Sequence, residues 1–579
     1  MTAAPVNVAA HLVRMAAAFP DRPALHIPVG KVRHDGDTPH LTLTFAQLNA
    51  DTDALAHGLL GIGIRRGTRV ALMVPPGRDF FALTFALLKV AAIPVLIDPG
   101  MGVKNLGKCL AEAEPEAFLG VAKAHLARRL FGWARKSVRV TVNVGRWRFF
   151  CTRSIGELRR ESRPYQMPEV FASDPAAILF TSGSTGIAKG VEYTHGILAA
   201  QVEMLKDTYG IQPGEVDLCT FPLFALFGPA LGMTGVVPDM DASRPATMDP
   251  KKALAQIRQF GVTNLFGSPA VIRRMAELVD PIPSSPRVHE RAASPARGLA
   301  AKTPTLPTVR RVISAGAPAT PAVLERFVQL LPPGVQVFTP YGATEALPVS
   351  NIGSDEILTE TRHLTDQGRG VCVGRPVNGM TVTVIPISDE PIPTWDASLQ
   401  LTVNQVGEFV VRGPVVTSRY FHRDEATKLA KIHDPATGET LHRMGDVGYI
   451  DDRGRMWFAG RKSHRVETPH GTLFTDMVEP IFNTVPWVAR TALVGVARNG
   501  TTYPVLCVEP KSAVNSGEWD EEALRRAGAR HEHTRRIGTF PIVMRFPVDV
   551  RHNSKIFREK LAVAISRWVG HDWKPEEPS

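Results

Sequence analysis

The sequence predicts an α/β fold: a large N-terminal domain of parallel-rich sheets with helices, a β-rich subdomain at its end, and a small α+β C-terminal domain. Three observations lead there. From residue 69 to residue 339, short apolar runs that end in turn residues alternate with helix-like segments. From Gly407 onward the pattern becomes strand-rich. Past Arg461 a smaller unit begins, with strand and helix signals together.

Residues 69–74 read as an apolar strand ending at Pro75-Pro76-Gly77, 80–91 as a helix, and 93–97 as a strand ending at Asp98-Pro99-Gly100. This β-α-β rhythm specifies a mostly parallel sheet. It resumes at 178–180, 263–266, 309–314 and 335–339. Ligands of open α/β sheets gather beyond the carboxyl ends of strands, so the loops after these runs are the first places to look. Residues 281–307 differ. Rich in Pro, Ser and Arg without an apolar period, they read as a mobile insertion that acts as a lid, as a docking loop, or not at all. The β-rich subdomain spans about 370–460, with a hairpin turn at Asp451-Asp452-Arg453-Gly454. The large domain is thus 1–460. The small one is 461–579, with strands at 492–496 and 504–508 and a closing helix at 555–569.

A chain of 579 residues can bury at least one large core, and 44% hydrophobic with 21% charged residues is ordinary for a globular protein. The net charge of +11 suits anionic ligands such as nucleotides, and equally a generic basic surface. No basic stripe with interleaved aromatics marks nucleic-acid readout. The cysteines (Cys109, Cys151, Cys219, Cys372, Cys507) are odd in number and widely spaced, which argues against a disulfide framework or zinc site and fits a reducing cytosol. The N-terminus lacks the charged and apolar regions of a signal peptide. Residues 80–96 are the most apolar stretch, but Lys89 and Pro94 interrupt it, so a buried helix and strand are expected there and no transmembrane segment. A cytoplasmic location is the expectation.

Residues 178–190 read I-L-F-T-S-G-S-T-G-I-A-K-G. An apolar run entering small and hydroxyl residues reads as a buried strand feeding a loop. Glycines let backbone N–H groups approach an anion, hydroxyls add donors, and Lys189 adds charge, which together make a polyphosphate cradle. It is not a Walker loop, because Ala188 takes the second glycine place and Gly190 the Ser/Thr place. Four more motifs follow: Y-G-A-T-E from Tyr341, G-D-V-G-Y from Gly445, G-R-K from Gly460 and R-H-N-S-K-I-F-R from Arg551.

In this order the five motifs resemble the adenylate-forming superfamily of acyl-CoA synthetases, peptide-synthetase adenylation domains and luciferases, over about residues 10 to 570. The resemblance implies ATP and Mg²⁺ as cofactors. In that chemistry a carboxylate attacks the ATP α-phosphate, and catalysis is mainly positioning and electrostatic stabilisation. It assigns Thr181, Ser182, Gly183, Ser184, Thr185, Gly186 and Lys189 to the β- and γ-phosphates. Tyr341 and Gly342 would meet adenine on one side, and the turn Ala315, Gly316, Ala317, Pro318 on the other. Thr344 would contact the α-phosphate, and Glu345 would hold Mg²⁺. Asp446 would bind the ribose hydroxyls with Arg461 beside it. Lys555 would reach from the small domain to the α-phosphate and the substrate carboxylate. Taken singly, Tyr341 could be a core aromatic, Asp446 a turn former, and Arg461 or Lys555 a solvated cation. The resemblance also makes the small domain mobile, about a hinge at Ser463, where the family usually has Asp or Lys.

Three departures bear on coenzyme A. In coenzyme A ligases a glycine usually stands nine residues past the G-R arginine; here that place is His470, behind Pro469, with Gly471 one further on. Ala225 stands where many relatives have histidine, and Ser554 where glycine is usual. L-I-D-P-G-M-G-V-K-N-L from Leu96, G-R-K-S-H-R-V-E-T from Gly460 and R-H-N-S-K-I-F-R-E-K-L from Arg551 resemble the OleC group of β-lactone synthetases in bacterial long-chain olefin biosynthesis. That likeness implies adenylation of a 2-alkyl-3-hydroxy long-chain fatty acid. Its own 3-hydroxyl then closes on the acyl-AMP to release a β-lactone and AMP. It also implies a large apolar pocket, with Phe221, Phe224, Leu226, Phe227 and Met233 as wall candidates that could equally be core. His195 is a candidate base that ordinary relatives also carry. An assembly with an α/β-hydrolase-fold β-lactone decarboxylase and a ketone reductase is the implied partnership. A long-chain fatty acyl-CoA synthetase and a non-catalytic adenylate-binding scaffold are the alternatives.

Overall fold

The computed structural model describes residues 6–30, 39–145, 148, 151–181, 188–279, 305–511, 515–548, 556–570 and 573. The chain is mixed α/β, as its alternation predicts. Its first sheet has seven strands in the order Arg153–Ser154, Val140–Asn143, Ala117–Gly120, Arg69–Met73, Ile93–Ile97, Pro175–Thr181, Lys189–Thr194. All pairs are parallel except the last. Ile93–Ile97 is buried at every position, as a strand covered on both faces must be. The apolar stretch before it is the helix Arg78–Lys89, buried from Phe80 to its end.

The second sheet has fourteen strands. One half is largely parallel and carries Val216–Cys219, Asn264–Gly267, Arg311–Ser314 and Val337–Ala343 in adjacent places. The other half is antiparallel: Ala346–Gly353, Val371–Pro376, Met456–Arg461, Thr440–Ile450, Gly407–Arg412 and Thr381–Ile385. The strand-rich region therefore continues the sheet, and direction reverses at the hairpin Val337–Ala343/Ala346–Gly353. At Asp451 the expected turn forms, its carboxylate accepting from the N–H groups of Arg453 and Arg455.

Near the C-terminus, Val488–Arg498 and Thr501–Pro510 form one long hairpin. Alternation sends Leu493 and Leu506 toward the helices Thr475–Asn483 and Glu521–Ala529, and Val494 and Val505 toward the helix Arg558–Trp568. The insertion expected at 281–307 falls outside the described residues as far as 304. Its end is not loop-like: Leu306 is fully buried and its N–H donates to Leu330 O. All five cysteines are free. Among the described residues no helix is long and apolar enough to cross a membrane.

Lys89 shows how the core tolerates a charge. Its ammonium, 1% exposed, lies 2.5 Å from Asp53 Oδ1 and donates to Asn49 Oδ1 at 2.8 Å. Burial pushes its pKa down, and Asp53 opposes that. Asp53→Ala would strand the ammonium, so urea unfolding should show a loss of about 3–5 kcal/mol. Adding Lys89→Met should restore most of it.

Candidate active site

Thr344 and Glu345 form the two-residue tip of the hairpin between Ala343 and Ala346, which are paired. A Cβ at Gly342 would come 2.6 Å from Ala346 O, so glycine is required for this tight return. Side chains from other strands fix the tip. The Tyr193 hydroxyl donates to Thr344 O at 2.5 Å. The Tyr420 hydroxyl donates to Glu345 Oε1 at 2.6 Å. The N–H and hydroxyl of Thr417 both donate to Glu345 O, at 2.9 and 3.1 Å. Lys431 in turn donates to Thr417 O at 2.5 Å and meets Thr417 Oγ1 at 3.1 Å. Burial, and then the Glu345 charge, push both phenols up, which keeps them protonated and donating.

The cradle lysine belongs to the same cluster. Lys189 Nζ lies 4.7 Å above the Tyr420 ring, a cation–π contact. Burial lowers its pKa, and Glu345 offsets part of that. Thr181 ends the strand Pro175–Thr181 and pairs with Lys189, so the cradle's two flanks are adjacent. Ser182, Gly183, Ser184, Thr185 and Gly186 lie outside the described residues, as does Lys555.

A second cluster adjoins the first. The Tyr341 hydroxyl donates to Asp446 Oδ2 at 2.6 Å. Asp446 Oδ1 lies 2.7 Å from Arg461 Nη1, yet it is buried and accepts no aligned hydrogen bond. Burial raises the Asp446 pKa against the pull of Arg461 and Tyr341. Asp446 and Arg461 are paired residues on adjacent antiparallel strands, which brings their side chains together. Ala315 and Gly316 follow the strand Arg311–Ser314 as a turn in which Gly316 has φ +100°, and Ala317 and Pro318 continue it.

Ser463 sits in a short helical turn, Lys462–His464. Its neighbours fasten that turn to the large domain: Lys462 Nζ reaches Ser388 O at 2.7 Å and Glu408 at 3.3 Å, and Arg465 pairs with Asp389 at 2.5 Å. Beyond it, Val466–Thr468 and Gly471–Leu473 close a hairpin whose tip holds Pro469 and His470, and His470 Nε2 meets Arg536 at 3.2 Å. Phe224 stacks flat on Phe266 at 3.6 Å, with Phe221 and Phe227 half-buried beside it. Leu226 is half-buried too, whereas Met233 is wholly enclosed in the core. His195 is fully buried, its Nδ1 accepting from the Val8 N–H, and burial lowers its pKa to about 4. That environment does not suit a base that must reach substrate.

Sequence reasoning passed over Tyr193, Thr417, Tyr420 and Lys431. Tyr193 was within reach, because the strand period puts it on the same face as Lys189. The other three depend on tertiary contacts that no local pattern shows: Thr417 and Tyr420 reach Glu345 across 72 and 75 residues, and Lys431 joins through Thr417.

Comparison with known proteins agrees with this layout. Residues 12–421 match the family model described as AMP-binding enzyme. The chain is 46% identical to the olefin beta-lactone synthetase of Xanthomonas campestris pv. campestris, over 96% of this chain and 97% of that protein. Its fold is shared by ATP-bound MatB from Rhodopseudomonas palustris (TM-score 0.73, 19% identity, 97% and 99% of the two chains). It is shared also by MenE from Bacillus subtilis in complex with ATP and magnesium ion (TM-score 0.69, 20% identity, 95% and 98%). The chain belongs to the AMP-binding enzyme family and is an ATP-dependent adenylate-forming ligase.

Lys431 gives this site a pH signature. Burial lowers its pKa to about 7 in the folded protein. The unfolded chain, with an ordinary lysine pKa of about 10.4, binds more protons between those values, so Lys431 makes stability rise with pH across that window. Thermal unfolding of the wild type and Lys431→Met from pH 7 to 10 should show the difference in stability shifting toward the wild type as pH rises. A pH-independent difference would contradict the lowered pKa of Lys431.

Proposed function

We propose that this member of the AMP-binding enzyme family adenylates a 2-alkyl-3-hydroxy long-chain fatty acid and closes it to a β-lactone. The observation that carries the reading is its 46% identity, over nearly its whole length, to an olefin beta-lactone synthetase.

The site's chemistry is compatible with ATP. Asp446 presents a buried oxygen without an aligned donor, and the hydroxyls of a ribose are donors of the right kind. Tyr341, held by Asp446, offers a ring edge for adenine, with the turn at 315–318 opposite. Lys189 and the N–H groups of the cradle would meet the phosphates. Among the described residues no group of three or more His, Cys, Asp or Glu could hold a metal alone. Glu345 would therefore be a single carboxylate ligand. That suits Mg²⁺, which draws its remaining ligands from phosphate oxygens and water, and bound there it would neutralise charge on the phosphates.

In the first step a substrate carboxylate oxygen bonds to the α-phosphorus and pyrophosphate leaves. Thr344, fixed by Tyr193, would face the α-phosphate, and Lys555 would steady the charge that develops there. In the second step the 3-hydroxyl oxygen bonds to the acyl carbon, its proton is lost, and AMP leaves with the bonding pair. Holding that hydroxyl near the carbonyl while excluding water accounts for several kcal/mol, roughly 7–11 in favourable cases, and part of this offsets ring strain. His470, behind Pro469, stands where a coenzyme A ligase keeps its glycine, which supports an intramolecular nucleophile over an external thiol.

Incubation with ATP, Mg²⁺ and a 2-alkyl-3-hydroxy long-chain acid, with and without coenzyme A, should give β-lactone and AMP in both tubes by mass spectrometry. An acyl-CoA formed only with coenzyme A would replace this reading with a ligase. Lys555→Ala should cut AMP formation by orders of magnitude with unchanged circular dichroism. Phe224→Ala should shift the chain-length profile in a competition assay, and an unchanged profile would remove that ring from the pocket wall.

A further inference from the structure

Helices Val103–Ala113 and Ala122–Phe131 lie side by side on the outer face of the seven-stranded sheet, over the cluster that contains Leu106, Cys109, Phe118 and Trp133. Their connection is close, since a Cβ on Gly107 would come 2.9 Å from Trp133 Nε1. The opposite side of this layer faces solvent, and it is not an ordinary solvated face. Leu126 is 50% exposed, Leu130 71% and Phe131 57%. Leu126 and Leu130 are four residues apart and share one helical face, and Phe131 extends it, its ring stacked on Trp133 at 5.7 Å. Scattered apolar side chains on a surface need no explanation, but three large ones grouped on a ten-residue helix do.

The charge carried by the segment that contains this helix has one sign. From Ala117 to Gly145 the sequence contains six Lys or Arg and no Asp or Glu. Lys123, Arg129, Arg135, Lys136 and Arg139 are exposed, and Lys104 and Lys108 extend the cationic rim along the neighbouring helix. Protruding aliphatic and aromatic groups ringed by lysine and arginine match an anionic phospholipid surface. The apolar groups enter the acyl boundary while the cations meet the headgroups. A nucleic-acid backbone would satisfy the cations but leave the three apolar side chains in water.

We infer that the outer face of these two helices docks the protein peripherally on an anionic phospholipid bilayer. The inference stands on the surface itself and does not require the proposed substrate. A bilayer is also where a long-chain acid with two alkyl branches would partition.

The full-length protein is mixed with vesicles of phosphatidylglycerol and phosphatidylcholine, or of phosphatidylcholine alone, and floated on a density gradient. The wild type should float with the anionic vesicles, release them as salt is raised, and stay behind with phosphatidylcholine. A basic side chain near such a surface contributes about fivefold to binding, so Arg135→Glu with Lys136→Glu should weaken it at least tenfold. Leu130→Glu with Phe131→Glu should abolish flotation. Unfolding temperature and ATP binding, which involve neither pair, should be unchanged in both variants. Absence of wild-type flotation overturns the inference, as does equal flotation of wild type and variants. Self-association that depends on Leu130 and Phe131 without vesicle binding would assign the face to a protein contact and overturn it equally.

Discussion

On the proposed reading Glu345 holds its carboxylate toward a polyanion while Lys189 and Lys431 stand nearby, and the groups around the hairpin tip keep it there. A carboxylate on a free loop would fold back onto Lys189. Here the two-residue tip leaves little backbone freedom, and Tyr420 takes one carboxylate oxygen while Thr417 takes the main-chain carbonyl. The Lys431 ammonium is tied to Thr417 and so acts on Glu345 at one remove. Three of the chain's seven tyrosines, Tyr193, Tyr341 and Tyr420, are spent on this region. Each offers a rigid ring with one strong donor, so little conformational entropy is lost in holding an oxygen in place.

The second cluster follows a different logic. Around Asp446 desolvation outweighs Coulomb attraction: burial raises its pKa although Arg461 and Tyr341 both pull it down. Such a carboxylate is under-satisfied, and its Oδ1 shows it. Removing a buried acceptor's donor costs about 1–3 kcal/mol, so a ligand that supplied hydroxyl donors to Oδ1 would gain on that scale. Asp476 lies in the same field, also pushed up by burial, at the start of the helix Thr475–Asn483. That helix presses on Gly460, where a Cβ would come 2.5 Å from Thr475 Oγ1. The Asp446 cluster is therefore roofed by the C-terminal unit, and the glycine of G-R-K is a packing requirement as well as a motif letter.

The order of strands and helices was legible because alternation and turn residues are local properties. The strand at Ile93–Ile97 has the bounds its apolar run and Asp98-Pro99-Gly100 imply. Tyr341, Glu345, Asp446 and Arg461 were legible because short motifs carry them. Lys431 was not, since a lone lysine reads as a solvated cation until the chain around it is folded. Leu306 was hidden by its Pro-rich surroundings, whose composition describes the insertion but not the point where it rejoins the core. The basic face near Phe131 was hidden by the whole-chain charge, which averages +11 over 579 residues and dilutes a stretch without a single acid.

Helix Val103–Ala113 connects that outer face to the site. On one side it carries Lys104 and Lys108. One turn past Lys108 on that same side, Glu112 pairs with Arg423 at 2.6 Å, and Arg423 is three residues past Tyr420. The intervening Phe421 donates its N–H to Gly190 O, beside the cradle lysine. A cleft of about 340 Å³ lies along this line, between Asn105, Lys108, Glu112, Arg423 and Ala188. Glu112 keeps one buried oxygen without a partner there. That side of the helix therefore runs from the exposed lysines to the Glu112–Arg423 ion pair, next to the segment whose Phe421 N–H meets Gly190 O. The helix is packed on the sheet through Leu106, Cys109 and Leu110, so a load on its outer face is borne by the core.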